Sequence, residues 1–229
     1  MNASPRLGLL GGTFDPIHFG HLDAADAARR SLHLDEVRLI PSHDPPHRPA
    51  DPHASGFHRF ALVALAIQGQ PAYRAAETEL TRKGRSYTAD TLRAIHAEGW
   101  RPSQLFFILG ADAFAEIATW REFPAVLDAA HFVVVARPGT TLDAAVARTP
   151  ELRGRMRYAR DGTQATAAPS IFLVEAHTRD VSSTAIRARL AAGQSIDDLV
   201  PASVEGHILA HQLYGAVGNL HGQDQGIQR

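Results

Sequence analysis

Short apolar runs alternate along this chain with stretches whose apolar residues recur at helical spacing. The runs predict six buried strands, at 7–10, 37–40, 73–76, 105–109, 131–136 and 171–174. Because these runs are continuous, they are typical of parallel strands that are covered on both faces. The helical patterns lie between them, so the chain predicts an α/β fold of three layers, with a mainly parallel sheet and helices on both faces.

The helical stretches show candidate starts and stops. Five longer helices are expected, at about 16–32, 57–67, 86–99, 180–193 and 201–214. Asp15 is the candidate cap of the first helix, with Pro16 just inside it, and Ser86 or Thr88 is the candidate cap of the third. The segment 140–169 has no clear pattern, and we expect a helix and a mobile loop there.

Composition limits the class of protein. The chain has 229 residues, which suits one domain over 1–215, and we expect the polar tail 216–229 to be disordered. A net charge of -1 gives no reason to expect a nucleic-acid partner. The absence of cysteine excludes disulfides and thiolate chemistry. The apolar runs are too short to span a bilayer, and residues 1–6 leave no room for a signal peptide, so a cytoplasmic protein without a membrane partner is expected.

The residues with functional chemistry follow the predicted strands. In parallel sheets, ligands bind beyond the carboxyl ends of the strands. The segments at those ends are 11–15, 41–48, 110–112, 137–139 and 179–184. They contain glycines, histidines, arginines and hydroxyl residues, which are groups that bind phosphate. We therefore expect the site at this edge of the sheet.

The first of these segments combines a glycine-rich turn with two histidines. His18 and His21 are three residues apart and share one face at the start of the predicted helix. Their imidazoles can donate to phosphate oxygens and to charge that develops on a leaving pyrophosphate. An isolated pair would more often be packing or capping histidines. The preceding turn offers backbone N–H groups to ATP phosphates at Gly11, Gly12, Thr13 and Phe14.

Other binding chemistries fit the sequence less well. Lys83 is the only lysine and does not lie in a Gly-Lys-Ser/Thr motif, so a P-loop is excluded. The glycine spacing is not G-x-G-x-x-G, which disfavours a dehydrogenase site. A zinc site is a weaker alternative without cysteine ligands or an H-E-x-x-H motif. Its candidate ligands would be His18, His21, His43, His47, His53 and His58.

A second anion-binding element lies late in the chain. Ser182, Ser183 and Thr184 precede a helical pattern, and Arg187 follows Ser183 by one turn on the same face. Hydroxyl and N–H groups at the helix start could bind some oxygens of a phosphate while the arginine binds others. Taken alone, this would be an ordinary N-cap followed by a solvent-exposed arginine.

Together the two elements resemble the nucleotidyltransferase superfamily that is marked by an H-x-G-H element and a late S-x-T-x-x-R-type element. Five further stretches resemble bacterial nicotinate-nucleotide adenylyltransferases. They are PxxxPPHR at 41–48, SYTADTL at 86–92, GAD at 110–112, Trp120 and RPG at 137–139. The matches run in order from about Leu7 to Tyr214, and they imply a Rossmann-like fold.

The resemblance implies that ATP and nicotinate mononucleotide give the deamido dinucleotide and pyrophosphate, with Mg²⁺. The acceptor phosphate would attack the α-phosphorus directly, without a covalent enzyme intermediate. His18, His21 and Arg187 would gather the triphosphate and stabilise the transition state. No carboxylate cluster is evident, so the ion is expected on the phosphates.

The resemblance also implies an acceptor site. Trp120 would stack on the pyridine ring, Tyr87 and Thr88 would line the pocket, and the helix start near Thr88 would suit a carboxylate. Asp112 would reach a ribose hydroxyl or the ring. The full set of expected acceptor-binding residues is Asp15, His43, His47, Arg48, Tyr87, Thr88, Gly110, Asp112, Trp120 and Arg137.

Two alternatives remain at this stage. A sister adenylyltransferase would use nicotinamide mononucleotide or phosphopantetheine, and it would share the H-x-G-H chemistry but not the acceptor motifs. A nucleotide-binding sensor would have a decayed site, which the intact His18, His21, Ser183 and Arg187 disfavour. Homo-oligomer formation is left open.

Overall fold

A computed structural model describes residues 4–46, 52–136, 141–160, 163–164 and 166–216. Its centre is a sheet of seven parallel strands in the order β3-β2-β1-β4-β5-β7-β6. The strands are β1 (Leu7–Gly12), β2 (Glu36–Pro41), β3 (Tyr73–Ala75), β4 (Leu105–Gly110), β5 (His131–Val135), β6 (Met156–Ala159) and β7 (Ile171–Val174). The predicted parallel three-layer α/β fold is therefore confirmed.

Helices cover both faces of the sheet. They are α1 (Phe19–Leu32), α2 (Gly56–Ala66), α3 (Thr88–Ala97), α4 (Ala111–Phe114), α5 (Leu142–Arg148), α6 (Ser183–Ala191) and α7 (Ala202–Ala210). One apolar core contains buried residues of α1, α2, α6 and α7, and a second contains residues of α3, α4 and α5. In β1, Leu9 belongs to the second core and Leu10 to the first, because successive side chains point to opposite faces.

The strand order places a crevice at the end of β1. The chain runs from β1 to β2 and β3 on one side, and then returns to β4 on the other side of β1. The order therefore reverses between β1 and β4, where open α/β sheets bind ligands. The segments after both strands lie at this position, as predicted.

The structure corrects several local predictions. Strand β6 was not predicted, because only Ala159 of its four residues is buried and the apolar signal of an edge strand is weak. The expected helix in this part of the chain is present as α5. The last predicted helix ends at Ala210, and a short 3₁₀ turn follows in which Gln212 and Tyr214 have positive φ.

Both predicted helix caps were also wrong. His18, not Asp15, is the N-cap of α1, and Tyr87, not Ser86 or Thr88, is the N-cap of α3. Asp15 and Ser86 each bind a different segment of the chain, because a tertiary contact satisfies the side chain instead of the local helix start.

Ala216, the last described residue, is buried in the core, and 217–229 lie outside the described residues. The division into one domain and a disordered tail stays a prediction. Among the helices that the structure describes, none has the length and apolar character needed to cross a bilayer.

Candidate active site

The two motif histidines meet at the start of α1. His18 has extended backbone at the N-cap, and its N–H donates to Nδ1 of His21 over 3.3 Å. The two imidazole rings stack with centroids 3.7 Å apart and an angle of 28° between planes. His18 is buried and His21 is partly exposed, so the inner ring supports the outer one. The predicted shared face is confirmed by this geometry.

Close packing explains why the residue between the two histidines that faces Arg179 is the small Gly20. A Cβ atom at this position would lie 3.1 Å from the backbone oxygen of Arg179 and 3.2 Å from the His18 ring. Both neighbours are tightly packed, since one is backbone and the other is a buried ring. The glycine therefore allows α1 to approach the segment that leads into α6.

The substitution Gly20→Ala is expected to lower turnover by up to about 100-fold if the predicted role of the two histidines holds, since a displacement of about 1 Å of a catalytic group has an effect of this size. The melting temperature should change little by comparison. Gly206→Ala is the matched control, since Gly206 is also helical and a Cβ there meets nothing within 4 Å. Equal activity of the two variants would contradict the proposed packing constraint.

The second predicted anion-binding element packs directly against the first. The Ser182 hydroxyl caps α6 by accepting the N–H of Ala185 over 3.1 Å. The Ser183 hydroxyl is buried and donates to the carbonyl of Pro16 over 2.9 Å. The two serine side chains therefore order the helix start and join it to the turn after β1. The first backbone N–H groups of α6 have no carbonyl partner within their own helix, as at any helix start, and are the donors suited to phosphate.

Arg187 joins the same two elements. Its Nη1 donates to the backbone oxygen of Asp15 over 2.7 Å, and its Nη2 donates to the Thr184 hydroxyl over 3.2 Å. The side chain is only 14% exposed. The guanidinium is therefore fixed beside the turn that precedes His18, as the sequence prediction required.

A surface contact reinforces this junction. Arg179 donates to both carboxylate oxygens of Asp23 on α1, over 2.9 and 2.7 Å. These bonds outweigh partial burial and lower the pKa of the Asp23 carboxyl. The Arg179 guanidinium also lies 3.8 Å from the ring centre of Phe19. These contacts hold the segment before α6 against the first two turns of α1.

Asp15 is fully buried beneath the turn. Its carboxylate accepts the backbone N–H groups of His53 and Ala54 over 2.8 and 3.0 Å, and Nη1 of Arg187 lies 4.0 Å away. Burial alone would raise the pKa of Asp15, but these hydrogen bonds and the nearby Tyr214 hydroxyl lower it. Burial beside this carboxylate raises the pKa of Tyr214. The side chain thus anchors the loop before α2, and its contact with the acceptor stays a prediction.

Arg59 is a buried cation that the sequence analysis missed. Its Nη1 donates to the backbone oxygen of Thr13 over 2.7 Å, and its Nε donates to that of Ala54 over 3.1 Å. Phe14, with φ of 49°, lies in the left-handed region that bulky residues rarely adopt. Because Arg59 binds the carbonyl before Phe14 and Arg187 binds the carbonyl after it, two arginines fix this unfavourable conformation.

Three of the ten predicted acceptor residues, Tyr87, Thr88 and Trp120, line a small cavity at the start of α3. The cavity has a volume of about 80 Å³ and is lined by Pro46, Ser86, Tyr87, Thr88, Trp120 and Arg121. The Trp120 indole is partly buried and packs edge-on against Phe107, with ring centres 6.0 Å apart. The structure thus brings the aromatic residues and the helix start together, as the acceptor prediction expects.

Arg121 belongs to this cavity but carried no signal in the sequence. Its guanidinium lies 4.8 Å from the ring centre of Tyr87, and its Nη1 donates to Asp90 over 3.3 Å. Its position next to Trp120 is the only sequence feature that could have indicated it. The arginine thus lines the cavity while it is paired with the carboxylates of Asp90 and Glu122.

The remaining predicted acceptor residues lie in several different parts of the chain. Gly110 ends β4 and caps the short helix α4, where Asp112 is exposed. His43 is exposed in the segment after β2. His47, Arg48 and Arg137 lie outside the described residues.

The histidines of the zinc alternative are engaged separately. The ring of His53 contacts Asp15 over 3.3 Å, and that of His58 contacts His207 over 3.1 Å. Among the residues with described positions, no group of three histidine or acidic side chains is arranged to bind a metal ion.

The fold and the two joined elements define a nucleotidyltransferase type of site, and residues 9–189 match the family described as cytidylyltransferase-like. A probable nicotinate-nucleotide adenylyltransferase of Desulfitobacterium hafniense is 40% identical over 215 residues, which is 93% of this chain and 98% of the relative. The nicotinate-nucleotide adenylyltransferase of Salmonella typhi is 37% identical over 207 residues, or 90% and 97% of the two chains. The chain therefore belongs to the nicotinate-nucleotide adenylyltransferases, within the cytidylyltransferase-like family, which confirms the resemblance seen in the sequence.

A solved structure supports the fold independently. The nicotinic acid mononucleotide adenylyltransferase of Plasmodium falciparum, complexed with NaAD, superposes with a TM-score of 0.71 at 16% identity. The match covers 93% of this chain and 99% of that one. The architecture is therefore shared despite low sequence identity.

Proposed function

We propose that this chain transfers the adenylyl group of ATP to nicotinate mononucleotide, giving nicotinate adenine dinucleotide and pyrophosphate. The observation that supports this most is the junction between the two anion-binding elements. Arg187 and Ser183 bind the turn before His18, and so they form one cleft from two distant segments. The names of the 37–40% identical relatives support the same reaction.

The chemistry needs positioning more than an activated side chain. A phosphate oxygen of the acceptor forms a bond to the α-phosphorus of ATP, and the bond from that phosphorus to the bridging oxygen breaks. The bond electrons leave with pyrophosphate. A phosphate monoester is already largely ionised at neutral pH, so no general base has to create the nucleophile. Holding both substrates in line converts the encounter into an effectively unimolecular step.

The residues of the cleft have distinct proposed roles. His21, supported by His18, donates to oxygens that gain charge as pyrophosphate departs, and Arg187 neutralises the triphosphate. Backbone N–H groups of Thr13 and Phe14, in the turn after β1, bind phosphate oxygens. Those of Ser182, Ser183 and Thr184 do so from the opposite helix start. Gly11 and Gly12 were predicted to do the same, but they lie within β1 and pair with Ile40 and Pro41 of β2.

We propose Mg²⁺ as the ion that accompanies ATP. The buried carboxylate of Asp15 already accepts the backbone N–H groups of His53 and Ala54. The described side chains around it are imidazole, guanidinium and hydroxyl groups, which do not form a carboxylate cage. Mg²⁺ usually keeps several waters and binds substrate phosphates. The ion would therefore arrive as part of the nucleotide substrate.

The acceptor site is proposed at the Trp120 cavity. Trp120 would stack on the pyridine ring beside Tyr87, and the N-terminal end of α3 at Thr88 would attract the ring carboxylate. His43, Gly110 and Asp112 would also bind the acceptor, and Asp112 would reach a ribose hydroxyl or the ring. Asp15, His47, Arg48 and Arg137 remain proposed acceptor residues from the sequence.

We base a proposal for the cellular setting on the composition of the chain. A net charge of -1 and the absence of cysteine fit a cytoplasmic enzyme that acts on small nucleotides without a nucleic-acid or membrane partner. A homo-oligomer is compatible with the sequence, and its presence can be checked by sedimentation.

Pyrophosphate release with each acceptor tests the function. With ATP, we expect nicotinate mononucleotide to be used in preference to nicotinamide mononucleotide or phosphopantetheine. Trp120→Ala should raise the KM for the acceptor by about 5- to 150-fold, because stacking of a base on an aromatic ring contributes about 1–3 kcal/mol. Trp120→Phe, which keeps an aromatic ring, is the matched control. A preference for either other acceptor would overturn the assignment, and no turnover with any acceptor would favour a nucleotide sensor.

A further inference from the structure

Four charged side chains join α3 to the segment that carries Trp120, and the proposed mechanism uses none of them. Asp90 and Arg93 lie on α3, and Arg121 and Glu122 directly follow Trp120 in the chain. Asp90 accepts Nη1 of Arg93 over 2.5 Å and Nη1 of Arg121 over 3.3 Å. Glu122 accepts Nη2 of Arg93, and its Oε1 lies 3.7 Å from Nε of Arg121. We call these four residues the charge network, because each acid contacts both arginines.

The charge network connects two segments that line the acceptor cavity, the start of α3 and the segment that follows the short helix α4. The contact of Arg121 with Asp90 and that of Arg93 with Glu122 both join these segments. The Arg121 guanidinium also lies 4.8 Å from the ring centre of Tyr87, a separation at which a cation and an aromatic ring attract each other. The network therefore constrains the distance between two parts of the cavity lining.

The aromatic contacts of Trp120 are with the sheet. Its ring centre lies 6.0 Å from that of Phe107 on β4 and 6.4 Å from that of Phe132 on β5. Among the described hydrogen bonds and ion pairs, those that join residues 120–123 to α3 all belong to the charge network. Loss of the network should therefore change the position of Trp120 relative to α3 and leave the sheet unchanged.

The backbone of Glu122 has a conformation that its side-chain contacts help to explain. Its φ of 65° lies in the left-handed region, which is unfavourable for residues other than glycine and asparagine. Glycine would adopt this conformation more readily, but it would leave Arg93 and Arg121 without this carboxylate. The N–H of Phe123 donates to the backbone oxygen of Trp120 over 3.1 Å and closes the turn. The tight turn thus directs the carboxylate toward α3.

We infer that Arg93 and Glu122 are positioning residues for the acceptor nucleotide, which hold Trp120 and the N-terminal end of α3 at the separation that a flat ring with a carboxylate requires. This inference rests on the proposed function, in which Trp120 stacks on the ring and the start of α3 attracts the carboxylate. Neither positioning residue lines the cavity. The side chains of the network are 26–55% exposed, so their ion pairs contribute little to folding stability, and their loss should affect acceptor binding instead.

The variant Arg93→Met removes the cation from the network and keeps a side chain of similar length. We expect the KM for nicotinate mononucleotide to rise about fivefold, which corresponds to about 1 kcal/mol, the upper value for an exposed pair. The KM for ATP and kcat should stay within about twofold, because the phosphate cleft is built from other segments. Arg148→Met is the matched control, since Arg148 is 64% exposed and pairs over 3.0 Å with Glu116, and neither residue lines the cavity.

A double-mutant cycle gives a readout that a general loss of stability would not change. Glu122→Gln should also raise the acceptor KM about fivefold, because it breaks the same contact from the other side. In the double variant we expect a rise of about five- to tenfold, and not the rise of about 25-fold that independent effects would give.

Hydrogen–deuterium exchange gives a readout that does not depend on the reaction. The N–H of Phe123 closes the turn after Trp120, and the network holds this turn against α3. It should therefore exchange about fivefold faster in Arg93→Met than in the control Arg148→Met.

Three results would overturn the inference. They are an unchanged acceptor KM in folded Arg93→Met, an equal rise of both substrate KM values, and independent effects of the two substitutions in the double variant. If the parent protein does not turn over nicotinate mononucleotide, the proposed function fails. In that case the exchange of Phe123 still decides whether the network holds the segment at Trp120, and a rate equal to that in Arg148→Met would reject this role.

Discussion

Replacing His21 with alanine is expected to lower kcat by about 100- to 1,000-fold, which corresponds to about 2.7–4 kcal/mol for the loss of one transition-state donor. The imidazole is partly exposed at the start of α1 and stacks on the buried ring of His18. It is therefore oriented before substrate binds. Because its proposed hydrogen bond strengthens only as pyrophosphate departs, the KM for the acceptor should change little.

The control for this variant is a substitution at the C-terminal end of the same helix. His33 follows the last turn of α1 and is exposed, with a φ of 48° that asparagine tolerates well. His33→Asn should keep full turnover. His21→Ala also removes the acceptor of the His18 N–H, so the melting temperature must be measured for both variants. Unchanged kcat in a folded His21→Ala protein would exclude His21 from the chemistry.

The edge of the sheet that carries the candidate site could be predicted from the sequence because of a property of parallel sheets. The carboxyl ends of all parallel strands meet at one edge of the sheet. A residue that follows a predicted strand is therefore expected at that edge. His18 is the N-cap of α1, which follows β1, and Ser183 starts α6, which follows β7. The bonds of Ser183 and Arg187 to the turn before His18 thus join segments that the topology brings to one edge, and the apolar runs and intervening helical patterns already indicated that topology.

The supporting polar groups could not be predicted in the same way. Arg59 and Glu79 are buried charged residues that a sequence pattern assigns to solvent, because burial of a charge is unfavourable without partners. Their partners are backbone oxygens or hydroxyls supplied by distant segments, and these leave no periodic signal. The same cause explains the wrong helix caps, since Asp15 and Ser86 bind other segments instead of their own helix starts.

The buried Arg59 is the supporting residue whose removal should affect stability most. Hydrogen bonds from Arg59 connect the backbone of Thr13 and Ala54, and a bond to a charged donor contributes about 1.5–3 kcal/mol. Arg59→Met keeps a similar chain length but leaves both buried carbonyls without this donor. We expect a loss of about 3 kcal/mol in the free energy of unfolding. For a chain of this size, that corresponds to a fall of about 6–12 °C in melting temperature.

Arg59→Met should also reduce turnover, because the left-handed conformation of Phe14 would lose one of the two arginines that fix it. The stability of Arg59→Lys should lie between that of the parent protein and that of Arg59→Met, since an ammonium group can reach one carbonyl but lacks the guanidinium fork. Arg74→Met is the matched control. Arg74 is 70% exposed on β3 and pairs only with Glu36 among the described ion pairs, so its loss should change stability by less than about 1 kcal/mol. Equal melting temperatures for Arg59→Met and Arg74→Met would show that the turn after β1 is fixed without Arg59, and Arg187 and Ser183 would then be the residues that position the histidines.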